Sequence, residues 1–144
     1  MIKLQDFVNK YNGKYVDWDK NFGPQCVDLM RFYLDEVVGI SGLAIPPAPY
    51  AKNMFQRFPT LGDANFTKIV NTKNNVPNKG DIIFWGTYPW ITGVAGHVAI
   101  YCDGNVNKFI SFDQNYPTRS TCHYYNHSYK GVLGWLRPRK KILT

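Results

Sequence analysis

Three residues of this chain, taken together, could run acyl-transfer chemistry. Cys26 stands where a loop turns into a helix. Backbone N–H groups and the helix dipole at that end favour the thiolate, which is the nucleophilic form. His97 opens a strand, just after Gly93, Val94, Ala95 and Gly96. The glycines allow close backbone approach and leave the imidazole accessible, so His97 can act as general base for a thiol. Asp113-Gln114-Asn115-Tyr116 follows the next strand. A carboxylate or amide at that point accepts from the imidazole N–H, fixing the tautomer and stabilising the imidazolium. Each piece alone has an ordinary reading: a core cysteine, a structural histidine, and a turn favoured by Asp and Asn. Whether Asp113 or Asn115 reaches the imidazole is left open by the sequence.

A second set of residues has the spacing of metal ligands. Counting Asp17 as position 1, oxygen side chains fall at Asp17, Asp19, Asn21 and Asp28, positions 1, 3, 5 and 12, and Gly23 at position 7 can offer its carbonyl. That is the ligand pattern of an EF-hand calcium loop. It departs from that pattern twice: Phe22 stands where a glycine makes the sharp turn, and Asp28 is shorter than the usual glutamate. The plain alternative is a polar turn plus an N-terminal helix aspartate. A bound Ca2+ would be structural, pinning the loop that presents Cys26. His123 and His127 have a helical zinc spacing, but Tyr124-Tyr125-Asn126 reads as loop or strand and no CxxC accompanies it, so zinc is not expected.

These residues must be positioned by an α+β frame. Leu4, Phe7, Val8 and Tyr11 form one apolar face of a helix over 3–11, stopped by Asn12-Gly13. Residues 13–25 read as a loop. Cys26 opens a helix to about Val38, with Gly39 as its stop. Residues 41–49 are irregular, and a short helix is expected over 50–58. The period then changes to that of strands: Ile82–Trp85, Gly96–Tyr101, Lys108–Phe112 and Val132–Leu136, with a hairpin-type turn at Asp103-Gly104-Asn105. Helices first and a mostly antiparallel sheet afterwards define the class.

Composition bounds the rest. At 144 residues the chain is one domain, expected over 1–138, with a basic tail or linker stub at 139–144. An apolar fraction of 44% and charged fraction of 19% exclude disorder. The net charge of +7 is scattered apart from Arg137, Arg139, Lys140 and Lys141, so a polyanionic surface is attractive but nucleic acid is not an expected partner. No run approaches the roughly 18 apolar residues that span a bilayer, so no membrane insertion is expected. The N-terminus carries no secretory signal. Three cysteines are an odd number, which argues against a disulfide scaffold.

Gln25-Cys26-Val27-Asp28, Gly96-His97-Val98-Ala99 and Asp113-Gln114-Asn115-Tyr116, in this order, resemble the CHAP family. These are cysteine, histidine-dependent amidohydrolases/peptidases of the papain-like NlpC/P60 clan. Lys79-Gly80-Asp81-Ile82-Ile83-Phe84 resembles the strand before the family histidine, and Gly134-Trp135-Leu136-Arg137-Pro138 the last strand of phage endolysin CHAP domains. The resemblance spans about residues 4–138. It implies a papain-like fold, with N-terminal helices packed on the sheet. It also implies Cys26 as nucleophile, His97 as base, Asp113 as orienting residue, Asn115 as its companion and Gln25 as an oxyanion donor. Some phage members bind calcium in the segment that here holds Asp17, Asp19, Asn21 and Asp28.

The implied activity is hydrolysis of an amide bond in bacterial peptidoglycan, as an endopeptidase or N-acetylmuramoyl-L-alanine amidase. Trp85, Tyr88, Trp90 and Tyr116 flank the catalytic segments and are expected to line the substrate groove, although each could equally be core. The missing signal fits a phage lysin made in the host cytoplasm and released by lysis, or one carried on a virion. A wall-binding domain would lie elsewhere or on another chain. Two alternatives stand beside this: a non-catalytic wall-binding module on the same fold, and a cysteine amidohydrolase of a non-wall substrate such as glutathionylspermidine.

Overall fold

The computed structural model describes residues 1–88 and 92–144. Among the described residues, three helical segments precede and flank one sheet. Helix α1 (Leu4–Tyr11) buries Leu4, Phe7 and Val8, the face that the apolar spacing predicts. Helix α2 (Cys26–Tyr33) runs on as a π-helical turn over Leu34–Val38. The segment expected as one helix therefore changes hydrogen-bond period. Gly39 N donates to Leu34 O at 2.9 Å, and Gly39 ends the turn in the left-handed region at φ 76°. The Glu36 carbonyl accepts from Ile2 N at 2.8 Å. Helix α3 (Ala51–Arg57) lies within the expected span.

The described residues form strands β1 (Phe66–Val70), β2 (Ile82–Trp85), β3 (His97–Gly104), β4 (Lys108–Asp113), β5 (His123–Ser128) and β6 (Val132–Pro138). They form one antiparallel sheet in the order β1-β6-β2-β3-β4-β5. The class is α+β, as the element order predicts. Strand β1 lies outside the expected elements, and at β5 the sequence reading allows loop or strand for Tyr124-Tyr125-Asn126. Both lie at sheet edges, and their sequences FTKIV and HYYNHS carry polar residues that blunt the apolar signal. Strand β3 also runs further than expected, through a register shift between Tyr101 and Asp103. The turn moves to Asn105, whose side-chain oxygen accepts from Asn107 N at 2.8 Å and Lys108 N at 3.2 Å.

The alternation of side chains along the central strands builds two cores. On the helix side, Ile82, Phe84, Val98, Ile100, Phe112 and Leu136 pack with Phe7, Leu29, Met30 and Tyr33. On the other side, Ile83, Trp85, Ala99, Tyr101, Phe109, Val132 and Trp135 form a second cluster. Strand β2 is buried at all four positions because it lies between the two.

The two outer motifs of the sequence meet each other. Arg137 from β6 grips the buried Asp81 carboxylate through Nε at 3.1 Å and Nη2 at 2.8 Å. Gly80 takes φ 95°, and a Cβ there would overlap Ile142. Residues 139–144 do not hang free: Arg139 N donates to Asn65 O, and Leu143 O accepts from Leu4 N, each at 2.8 Å.

Candidate active site

Cys26 is the first residue of α2 and is half-buried. The first-turn N–H groups of a helix have no helical acceptor and point outward at this end. Asp28 fixes how the chain enters the helix: its carboxylate accepts from Gln25 N at 2.9 Å and from Trp18 N at 3.1 Å. The helix packs against β3, which begins with His97. Gly96, just before β3, lets the chain pass close to the end of β2. It takes φ 73°, and a Cβ there would sit 2.2 Å from Trp85 O.

His97 is 3% exposed, and its Nε2 lies 2.7 Å from Asp113 Oδ2. An ionised carboxylate can only accept, so Nε2 carries the proton and Nδ1 is left for the Cys26 sulfur. Burial by itself would lower the His97 pKa, but the hydrogen bond to Asp113 and the nearby Cys26 sulfur outweigh it and raise the group to about 9. Asp113 is fully buried. Burial would raise its pKa, yet the imidazoles of His127 and His97 bring it down to about 2. The structure thus places Asp113, and not Asn115, on the imidazole.

Asn115 departs from its expected role. It takes a left-handed φ of 63°, and its side-chain oxygen accepts from Arg119 N at 2.6 Å. It caps the turn after β4 beside the groove. The residue between the two matters more than expected. Gln114 is fully buried, accepts from Val16 N at 2.7 Å, and donates to Val16 O at 2.9 Å and Gln25 O at 2.7 Å. It ties the segment carrying Asp113 to the segment entering Cys26. His127, expected only as an unpromising zinc ligand, puts Nε2 3.0 Å from the same Asp113 oxygen. Because 123–128 is a strand, its four-residue spacing from His123 is roughly 13 Å and not a helical ligand pair.

A groove of about 970 Å³ runs past Cys26 and His97. Tyr116 lines it, with its ring 5.0 Å from that of His97, and Gln25 lies exposed along it. Trp85 does not line it. This tryptophan is 1% exposed, and its ring packs 5.0 Å from His97 and 4.7 Å from His127, because it points into the second core. Tyr88 also lies outside the groove, where it bridges to Gly93 and covers Gly131. Trp90 lies outside the described residues. Sequence reasoning missed Trp18, Phe22, Pro47, Tyr50 and Tyr125, which do line the groove. All but Tyr125 come from residues before α3 without strong periodicity.

Carboxylate oxygens of Asp17, Asp19 and Asp28 lie within 4.8 Å of one another. Asn21 and Gly23 belong to the same loop, where Asn21 N donates to Asp19 Oδ1 at 2.9 Å and Gly23 takes φ 73°. Phe22, at the position where a glycine makes the sharp turn, makes it in the left-handed region at φ 62°, with its ring 93% exposed.

No family model matches the chain. Among solved structures it is similar to the wild type endolysin LysIME-EF1, with TM-score 0.74 and 28% identity over 98% of this chain and 66% of that one. It is also similar to Ly7917, with TM-score 0.65 and 16% identity over 92% of this chain and 59% of that one. A structure of Ly7917 with the hydrolyzing product of MDP gives TM-score 0.66 and 16% identity, over 92% and 60% of the two chains. The chain therefore spans 59–66% of the length of these proteins and shares their fold.

Proposed function

We propose that residues 1–138 form the catalytic domain of a peptidoglycan hydrolase of the CHAP type, followed by a short basic segment. The observation that carries this reading is the buried His97–Asp113 pair, with His97 lining the same groove as Cys26, the first residue of α2. Likeness to an endolysin over nearly the whole chain supports the wall as substrate.

In the reaction, the Cys26 proton already sits on His97 Nδ1, and the thiolate beside this imidazolium attacks an amide carbonyl of the wall peptide. Asp113 holds the imidazolium. The Cys26 N–H and the Gln25 side chain face the developing oxyanion. The tetrahedral adduct expels the amine, which takes the His97 proton, and leaves a thioester on Cys26. Water then gives a proton to His97, its oxygen attacks the thioester, and the acid leaves as the thiolate is restored. A wall peptide would lie in the groove against Tyr116 and the Trp18–Phe22 side. The protein would act on the wall as a phage lysin, with wall affinity supplied by a further domain or chain.

The donor set fits calcium: three carboxylates converge, with an amide and a carbonyl available in the same loop. Asp17, Asp19, Asn21, Gly23 and Asp28 would hold the ion. It would neutralise the mutual repulsion of the carboxylates and fix the loop that leads into Gln25 and Cys26.

The test is turbidity loss of purified bacterial walls with products read by mass spectrometry, for the parent and Cys26→Ala, with and without chelator. Clearing by the parent and none by a folded Cys26→Ala is expected, and the new amine terminus identifies the cut bond. Clearing retained in Cys26→Ala would end the thiol mechanism. Sedimentation with walls but no clearing by the parent would favour a binding module.

A further inference from the structure

One oxygen of Asp113 serves two histidines. His97 Nε2 lies 2.7 Å and His127 Nε2 3.0 Å from Oδ2, while Oδ1 accepts from the Ser111 hydroxyl. Since the ionised carboxylate has no proton to give, both imidazoles must present Nε2–H to it. His127 is 8% exposed and packed among the rings of Trp85, Phe109, Tyr116 and Tyr125. A phenylalanine would fill such an aromatic nest without burying polar atoms. The hydrogen bond to Asp113 is what a histidine adds there.

We infer that His127 is a positioning residue of the active site, which acts through Asp113 by holding the carboxylate in one orientation and dividing its charge between two imidazoles. The inference rests on the thiol reading above. With both donors in place, neither imidazole receives the whole of the carboxylate charge. Removing the His127 donor concentrates that charge on His97 and strengthens its hold on the imidazolium proton. The titratable or polar groups facing His127 are Asp113 and Ser111 from β4, His97 from β3, Tyr125 from β5 and Tyr116 from the turn after β4. Strand β2 contributes the uncharged Trp85.

The measurement is a pH series of long-range ¹H–¹⁵N spectra of the imidazoles in the full chain. In the parent, the neutral form of His127 should be the Nε2–H tautomer. In His127→Phe the His97 midpoint should rise by about one pH unit, and the alkaline limb of kcat/KM should move with it. His127→Gln restores an N–H donor and should bring the His97 midpoint back toward the parent value. An Nδ1–H tautomer of His127 in the parent overturns the inference. So does an unchanged or lowered His97 midpoint in His127→Phe, or a Gln variant shifted as far as Phe. If His127→Phe fails to fold, the parent tautomer and the Gln variant still decide. The imidazole midpoints are read without substrate, so failure of wall hydrolysis would be seen separately.

Discussion

Asp113 is the residue on which the site turns, and its consequence is a stability that depends on pH from both sides. His97 titrates at about 9 in the folded chain, above the roughly 6.5 of a free imidazole. Its contribution is complete below about pH 6.5 and lost as pH rises through 9. Asp113 titrates at about 2, below the roughly 3.9 of a free carboxyl. Its contribution is present above about pH 4 and lost as pH falls through 2. Urea midpoints are therefore expected to be highest between about pH 4 and 6.5 and to fall toward about pH 10. In Asp113→Asn the alkaline fall should flatten, because one of the two groups that raise His97 has lost its charge. An identical alkaline fall in that variant would mean that some other group is responsible. The sequence was legible to this depth for Cys26, His97 and Asp113, whose order along the chain carried the resemblance. It was not legible for Asn115, because a tetrapeptide does not reveal that its third residue turns left-handed and spends its side chain on Arg119 N. Nor was it legible for His127, which looks like any polar residue of an edge strand until the diagonal reach to β4 is known.

At the scale of elements, helices were easier to read than strands. Leu4, Phe7 and Val8 mark α1 through a 3.6-residue period that needs no knowledge of neighbours. Strands β1 and β5 exist because β6 and β4 pair with them, and Lys68 in the middle of β1 is accommodated by donating to Phe58 O at 2.9 Å. The π-helical turn after Tyr33 was equally hidden, since its apolar residues also suit an α-helix. The joint between elements that the sequence did not reveal is Gln114. Its buried amide joins the end of β4 to Val16 and to Gln25 O, and so holds the segments carrying Asp113 and Cys26 in register. Gln114→Ala strands those backbone partners in the interior. A loss of about 2–4 kcal/mol in unfolding free energy is expected from urea titration, with reduced wall clearing at temperatures where the variant is folded. A loss within about 0.5 kcal/mol would mean that water replaces the amide freely.

Over the whole molecule, the sheet order brings His97 and Asp113 together on adjacent strands, and the helix layer brings Cys26 to their end. The groove walls come largely from the least regular parts of the chain, including the acidic loop whose Asp17 and Asp19 meet Asp28 of α2. If that loop binds calcium, the ion stabilises the folded chain by mass action, about 2.7 kcal/mol at a hundredfold excess over Kd. For a domain of this size the parent should melt roughly 5–10 °C higher with calcium than in chelator, and Asp19→Ala should melt alike in both. Equal melting of the parent under the two conditions would remove the metal site. The placement of the thiols has one more consequence. Burial pushes Cys102 and Cys122 up to about 12, while Cys26 opens on the groove. In handling, a protein with three thiols then behaves as one with a single covalent handle. If Cys26 is the nucleophile, peroxide or a maleimide should stop turnover at one atom without melting the fold, and activity recovered by reductant after storage would report a sulfenate at that atom and not refolding.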